Sequence, residues 1–460
     1  MDPNQQTEVK QTEALPQQNP TLQNFNSTPR HSNNWIKLLI IFLVLVIIGT
    51  SGYYFGIRKN QPISKPHPII TPSPSQLSPT PTHMIYSDIT SEQEQQVVGA
   101  HNIFGFSLFQ ELEKEDKNQN IFISPLSASL ALSMLYNGAD GQTKDAMANA
   151  LQVKGIDILR LNKSNTNIAS LLANPDNGIT LSIANSLWIK NGTQIIPNFL
   201  TINKNYYLAS VTNLDFSNPQ SADKINKWAS DNTNGKIPTV VNPPIPSNEI
   251  LMLLNAVYFK GTWTEQFEKN ATKEDTFTNI DGVTTHAMMT HHAKYQYVET
   301  NDFQGIALPY GKSQRMNMYV FLPKVSLSQF LQQLNPESWA TWTNNFRLTD
   351  GTIILPKFKL NYNKQLNNAL KALGMGNAFA NSANFDLLSS QSVAVSDVTQ
   401  GTYVDVNEEG TEAAAVTAIG VGMGSIGENS FVMNVNKPFF FAIVDNKTHE
   451  ILFMGTIEKL

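Results

Sequence analysis

The chain contains no cysteine. That excludes a disulfide framework, a thiolate nucleophile and a cysteine-built zinc site, and it leaves the redox compartment open. Lys and Arg nowhere cluster and the net formal charge is −5, so a nucleic-acid-binding surface is not expected. There is no G-x-S-x-G elbow, so a Ser/His/Asp hydrolase has no positive support and the chain is not expected to be an enzyme. The last absence is local. No Lys or Arg occurs from Glu408 to Asn436, and no proline or aromatic residue from Glu408 to Ser430.

That stretch, EEGTEAAAVTAIGVGMGSIGENS, joins two strand-like runs, Tyr403–Val406 and Phe431–Val435. It is too long for a hairpin turn, and structureless loops of this length are usually functional. Read with period two, Thr411, Ala413, Ala415, Thr417 and Ile419 share one uncharged face, while Glu412 falls on the other. The loop can therefore become a strand inside a sheet, with its single early charge left in water. A proline or an inward charge would forbid this. The plain alternative is a flexible Gly/Ala-rich loop.

Along the chain, residues 1–34 are Gln/Asn/Thr/Pro-rich and expected to be disordered. Residues 35–57, WIKLLIIFLVLVIIGTSGYYFGI, carry Lys37 as their only charge and are long enough to span a bilayer. Trp35, Tyr53, Tyr54 and Phe55 suit the two interfaces. A signal-peptide core competes, but the leading segment is long and polar and no A-x-A site follows. Charges flank both ends, so orientation is poorly determined. Residues 58–90, with seven prolines between Arg58 and Asp88, read as a semi-rigid spacer.

The globular part spans residues 91–460. Helices are expected at Gln95–Glu113, Ser124–Tyr136, Ala222–Asn232 and Gln365–Leu373. Strands are expected at Ile179–Lys190, Ile250–Phe259, Met316–Leu322, Thr352–Leu360, Phe439–Val444 and Ile451–Ile457. Helices dominate early and strands late without βαβ alternation, which indicates an α+β fold.

Other motifs carry less. Gly422, Gly424 and Gly427 match G-x-G-x-x-G, but an extended segment follows where a phosphate cradle needs a helix. His286, His291 and His292 fit no common metal-ligand spacing, so no metal is expected. Asn162, Asn191, Asn270 and Asn446 begin glycosylation sequons, common by chance in an Asn-rich chain.

Several segments resemble the serpin family in serpin order: IFISPLSASLALSMLYNGADGQT (121–143), LNAVYFKGTW (254–263), LPKFKL (355–360), LGMGNAF (373–379), VDVNEEGTEAAA (404–415) and NKPFFFAIVDNKTHEILFMG (436–455). The resemblance covers essentially all of residues 91–460. It implies three β-sheets, eight or nine helices and an exposed reactive-centre loop, onto which Glu408–Ser430 falls. It also implies a mechanism. A serine protease cleaves the loop, and the loop inserts into the large sheet before the acyl-enzyme hydrolyses. At about 3.3 Å per residue, some 15 residues carry the linked protease on the order of 50 Å and distort its catalytic site.

Carried over by motif, Glu408, Gly410, Thr411, Glu412, Ala413, Ala414 and Ala415 resemble the hinge of inhibitory serpins. Ser124, Pro125, Ser127 and Asn255 resemble the shutter where the sheet opens, and Gly261 and Trp263 the breach where insertion starts. Gln400 stands where many serpins have a shutter histidine; it hydrogen-bonds but cannot titrate. The scissile bond is placed at Gly424–Ser425, with Met423–Gly424 as the alternative. Without a cation near it, an elastase-, subtilisin- or chymotrypsin-like protease fits better than a trypsin-like one. The expected protein is a monomeric, single-pass, extracytoplasmic inhibitor needing no cofactor; the alternative is a non-inhibitory serpin serving as a cell-surface binding or structural protein.

Overall fold

The computed structural model describes residues 91–173, 175, 176, 178–412 and 430–460. The segments 1–34, 35–57 and 58–90, and the expected site residues Ala413, Ala414, Ala415, Met423, Gly424 and Ser425, lie outside the described residues. Among the described residues no helix is long and apolar enough to cross a membrane.

Nine α-helices occur among the described residues: α1 (Glu92–Glu115), α2 (Pro125–Tyr136), α3 (Gly141–Ala150), α4 (Ile158–Ala173), α5 (Pro197–Tyr207), α6 (Gln220–Asn232), α7 (Leu327–Gln333), α8 (Pro336–Asn344) and α9 (Asn367–Ala372). The strands are β1 (Ile121–Ile123), β2 (Ile179–Lys190), β3 (Ser210–Leu214), β4 (Leu251–Thr262), β5 (Lys273–Asn279), β6 (Gly282–Glu299), β7 (Phe303–Tyr310), β8 (Met316–Pro323), β9 (Arg347–Pro356), β10 (Phe358–Gln365), β11 (Asp397–Asn407), β12 (Gly410–Thr411), β13 (Phe431–Asn434), β14 (Phe439–Asp445) and β15 (Glu450–Ile457).

Where three sheets are expected, the hydrogen-bonded ladders are continuous in two. The 18-residue β6 causes this, since it pairs with β5 at one end and with β9 and β7 further along. The larger sheet runs β1-β15-β14-β8-β7-β6-β9-β13, with β5 added to β6. The other runs β10-β11-β12-β4-β2-β3, and below β12 the strands β11 and β4 pair directly. The expected strand Thr352–Leu360 is two strands, because Pro356 ends β9 and the chain resumes as β10.

The six-stranded sheet is covered on both faces, which is why β4 is a nearly continuous apolar run, broken at Asn255. Leu251, Leu253, Val257 and Phe259 join the main core. Met252, Leu254 and Ala256 point the other way, into a smaller cluster with Ile225 of α6 and Trp188. Helix α2 lies entirely buried in the main core. Its start is local chemistry: the Ser124 side chain caps it by accepting from the Ser127 N–H, and Pro125 occupies the first turn.

Candidate functional site

The expected shutter residues meet where β11, β4 and α2 converge. Alternate residues of β11 point inward as Val398, Gln400, Thr402, Val404 and Val406, so one glutamine breaks an otherwise small or apolar face. Gln400 is 1% exposed. Its Oε1 accepts from the Ser124 N–H at 3.0 Å, and its Nε2 donates to Ser124 O at 3.0 Å and Asn255 Oδ1 at 2.7 Å. Asn255 in turn donates to Ser127 Oγ and to Asn185 Oδ1. Ser124 Oγ donates to Leu452 O at 2.6 Å, tying the cluster to β15. Pro125 packs on α1 at Gly105, where an added Cβ would lie 2.5 Å from the proline ring.

Gln400, Asn255 and Asn185 form one rung across three strands, since Gln400 is the register partner of Asn255 and Asn255 of Asn185. Asn185 was not among the expected residues. Its signal was available: Ile179, Leu181, Ile183, Leu187 and Ile189 share its parity, and it alone is polar. Replacing Gln400 with leucine should strand the buried Ser124 N–H and Asn255 Oδ1. About 1–3 kcal/mol per orphaned group is the ordinary penalty, so a loss of roughly 2–6 kcal/mol is expected in a urea melt, with no new pH dependence.

At the hinge the structure departs from expectation. Gly410 and Thr411 are not part of an exposed loop; they already form β12, wedged between β11 and β4. Thr411 pairs with Val406 and Gly261, and Gly410 with Asn407 and Thr262. Thr411 is fully buried and its hydroxyl shares a 2.6 Å hydrogen bond with Tyr310. Burial holds the Tyr310 phenol far above its ordinary pKa, with the Thr411 bond opposing, so it stays neutral. Two glycines make room. Gly410 has φ +148 and a Cβ there would meet Gly261 O at 2.1 Å; a Cβ on Gly261 would meet the Tyr310 ring at 2.8 Å.

Trp263 frames this end of the sheet. Its ring stacks on Tyr310 at 4.4 Å between centroids. Its Nε1 donates to Asn407 O at 2.9 Å and its backbone N–H to Glu409 O at 3.0 Å. Charges complete the frame: Lys357 pairs with Glu408 at 2.9 Å, Lys269 with Glu409 at 2.6 Å, Lys359 with Asp405 at 2.9 Å and Lys236 with Glu412 at 2.8 Å. Burial alone would raise the Glu408 carboxyl; Lys357 and Thr272 outweigh it and hold the pKa below the usual range. Glu412 was expected in water. It is instead only 18% exposed and bonded to Lys236, whose pKa that bond raises. These four lysines were not expected, because each is brought from a different distance in sequence. Lys269, Lys357, Lys359, Asp405, Asn407, Glu408 and Glu409 line an open polar cavity of about 380 Å³.

The three histidines lie along β6 with separate partners. His286 contacts Thr284, His291 contacts Tyr295, and His292 contacts Thr352 and Asp350. Among the described residues no group of three or more His, Asp or Glu could hold a metal ion. Of the sequons at Asn162, Asn191, Asn270 and Asn446, Asn162 is ruled out as a glycan acceptor: it is 3% exposed and its amide is bonded to Asn137 and Tyr207.

The profile of the serpin (serine protease inhibitor) family matches residues 99–460. An uncharacterized serpin-like protein of Thermococcus kodakarensis is 32% identical over 423 residues, covering 91% of this chain and 97% of the relative. Leukocyte elastase inhibitor of Xenopus laevis is 34% identical, covering 76% of this chain and 96% of the relative. The native-state crystal structure of tengpin, a thermophilic serpin, superposes with a TM-score of 0.75 at 32% identity, covering 82% of this chain and 96% of tengpin. The chain belongs to the serpin family.

Proposed function

We propose that this serpin is a suicide inhibitor of serine proteases of elastase-, subtilisin- or chymotrypsin-like specificity, tethered to a membrane through residues 35–57. The observation that carries the reading is β12. A two-residue strand stands antiparallel to both β11 and β4 at one end of a seam whose remainder is parallel, from Asp397↔Met252 to Tyr403↔Tyr258. If the rest of the loop followed the register of that wedge, its partners would follow by count. Nine residues on from Thr411 is Gly420; nine back from Val406 is Asp397, and nine back from Gly261 is Met252. These two are partners already. A strand inserting in that register would meet both ladders without a slip. The Glu412 N–H donates to Asp405 O at 2.8 Å, which makes the first step of that register.

On the same count Thr417 arrives between Gln400 and Asn255, on the inward face set by Thr411. A hydroxyl can donate and accept, so Thr417 would replace the side-chain bond that insertion breaks. Ala413, Ala415 and Ile419 would face inward beside it, and none carries a charge.

In the reaction, the protease serine Oγ attacks the Gly424 carbonyl carbon. The Gly424–Ser425 C–N bond breaks, the new amine leaves with the proton delivered by the protease histidine, and an ester remains. Insertion then competes with water for that ester. The names of leukocyte elastase inhibitor and of intracellular coagulation inhibitor 2 of Tachypleus tridentatus support an inhibitory role. The test is incubation with a protease panel, denaturing electrophoresis and mass mapping of the cut bond. An adduct that survives denaturation, with cleavage at Gly424–Ser425 or Met423–Gly424, is the expected result. Clean cleavage with fully active protease throughout the panel would remove the inhibitory reading.

A further inference from the structure

Away from the loop, a histidine and a glutamate face each other in the core. His101 of α1 is 1% exposed and Glu450 of β15 is fully buried. His101 Nδ1 lies 3.2 Å from both carboxyl oxygens of Glu450, and Nε2 lies 3.1 Å from Asn165 Oδ1 of α4.

The protonation of this pair can be deduced from a chain of bonds anchored on main chain. Asn137 Nδ2 donates to the Ser133 carbonyl at the end of α2, which can only accept. Asn137 Oδ1 therefore faces Asn162 Nδ2, and Asn162 Oδ1 is left to accept from the Tyr207 hydroxyl at 2.6 Å. Burial keeps that phenol protonated. Having donated to Asn162, Tyr207 accepts from Asn165 Nδ2 at 3.2 Å, which turns Asn165 Oδ1 toward His101. Nε2 must then carry a hydrogen. Nδ1 consequently meets the carboxyl with either its own proton or one supplied by Glu450; with neither, a lone pair would face a buried carboxylate.

We propose that His101 and Glu450 form a proton-dependent latch, holding one proton between them, that fastens the C-terminal hairpin β14–β15 to the helical layer. Neighbouring charges do not supply a substitute. Asp445 of β14 is fully buried but committed to Arg315 at 2.5 Å and to Thr448. Asn165 and Tyr207 present uncharged groups, and Glu94 of α1 is bonded to Asn167 and Ser91. Asn102, beside His101, donates to His449 O and accepts from the Ile451 N–H, so α1 grips the hairpin on both sides of Glu450. Burial, more than the opposing pull of His101, raises the Glu450 carboxyl, which agrees with a retained proton.

The sign of the effect follows by linkage. An unfolded histidine releases its proton near pH 6.5, while the folded pair keeps one. The folded state then binds more protons, so stability declines as pH rises above about 6.5, by up to tenfold in the folding constant per pH unit, until the pair lets go. Glu450→Gln removes the need for that proton, because its amide donates to Nδ1 of a neutral ring.

The test is the urea midpoint of the intact protein between pH 6 and 9, for wild type and Glu450→Gln. A wild-type decline that is flattened in the variant is expected. Parallel curves would overturn the latch. If the variant fails to fold, ¹⁵N and ¹³C NMR of the wild type at pH 7.5 decides. Either a doubly protonated His101 or a protonated Glu450 is required, and a neutral ring beside an ionised carboxylate would overturn the proposal.

Discussion

Thr411→Arg is expected to abolish the covalent adduct and leave a protein that proteases simply cleave. In the intact molecule Thr411 is wholly buried within the sheet, in β12, with its hydroxyl on Tyr310. Its register partners are Val406 and Gly261 and its hydroxyl partner is Tyr310, none of which carries a negative charge to pair with a guanidinium. An unpaired buried charge costs about 3–5 kcal/mol, so β12 leaves the sheet and the first step of insertion is opposed by the same amount. That slows insertion by roughly 10²–10⁴-fold relative to hydrolysis of the ester. The measurement is adduct yield on a denaturing gel, using a protease that traps with the wild type. Thr411→Ser keeps the hydroxyl and should retain adduct, which separates a charge effect from a general loss of fold. Unchanged yield with arginine would sink the insertion account.

What the sequence disclosed follows from where the information lies. Long runs with one dominant period were readable: Ile179–Lys190 is the strand expected, and the apolar run at Ile250 is β4, covered on both faces as its composition requires. Segments with mixed patterns were not assigned, among them α3, whose one-letter sequence GQTKDAMANA buries only Thr143, Met147, Ala148 and Ala150. The break at Pro356 was missed although a proline in the middle of the run Thr352–Leu360 signalled it, because both flanking runs are good strands.

At the candidate site, the named residues came from the family resemblance, and the structure shows the local feature of each. Gln400 and Asn255 are polar inside apolar strands, and Gly261 and Gly410 sit where backbones approach closely. Asn185, polar in the same way as Asn255, was passed over. Partners supplied from afar were not legible. Lys236, Lys269, Lys357 and Lys359 look like ordinary surface lysines until the fold sets each against Glu412, Glu409, Glu408 or Asp405. Nor could period two alone tell that the hinge begins inside the sheet. Alternation gives the face of Thr411, whereas its depth depends on the gap left between β11 and β4.

Severing the chain between Met423 and Ser425 is expected to make the molecule more resistant to heat. In the intact chain, full insertion to Gly420 would travel the length of β4 from Gly261 to Met252, about 30 Å. Residues 421–430 would then have to return to β13, beside β9, which runs into β10 at the hinge end of the sheet. Ten residues span at most about 33–36 Å when fully extended, so the tether would be almost fully stretched at complete insertion, with little length left for the sideways step to β13. Cutting the loop removes that restraint. The parallel seam from Asp397 to Tyr403 is then exchanged for two antiparallel ladders, each the more stable kind per residue. Residues 412–420 gain partners on both sides, and the rung of Gln400 and Asn255 is rejoined through Thr417. For a domain of this size each kcal/mol gained moves the melting midpoint by roughly 2 °C, so a net gain of several kcal/mol appears as a rise on the order of 10 °C. Calorimetry of intact and nicked protein measures it directly. Coincident transitions would mean that the intact fold is already at its minimum, and with no free energy to release, a trapped protease would have nothing to drag it down the sheet.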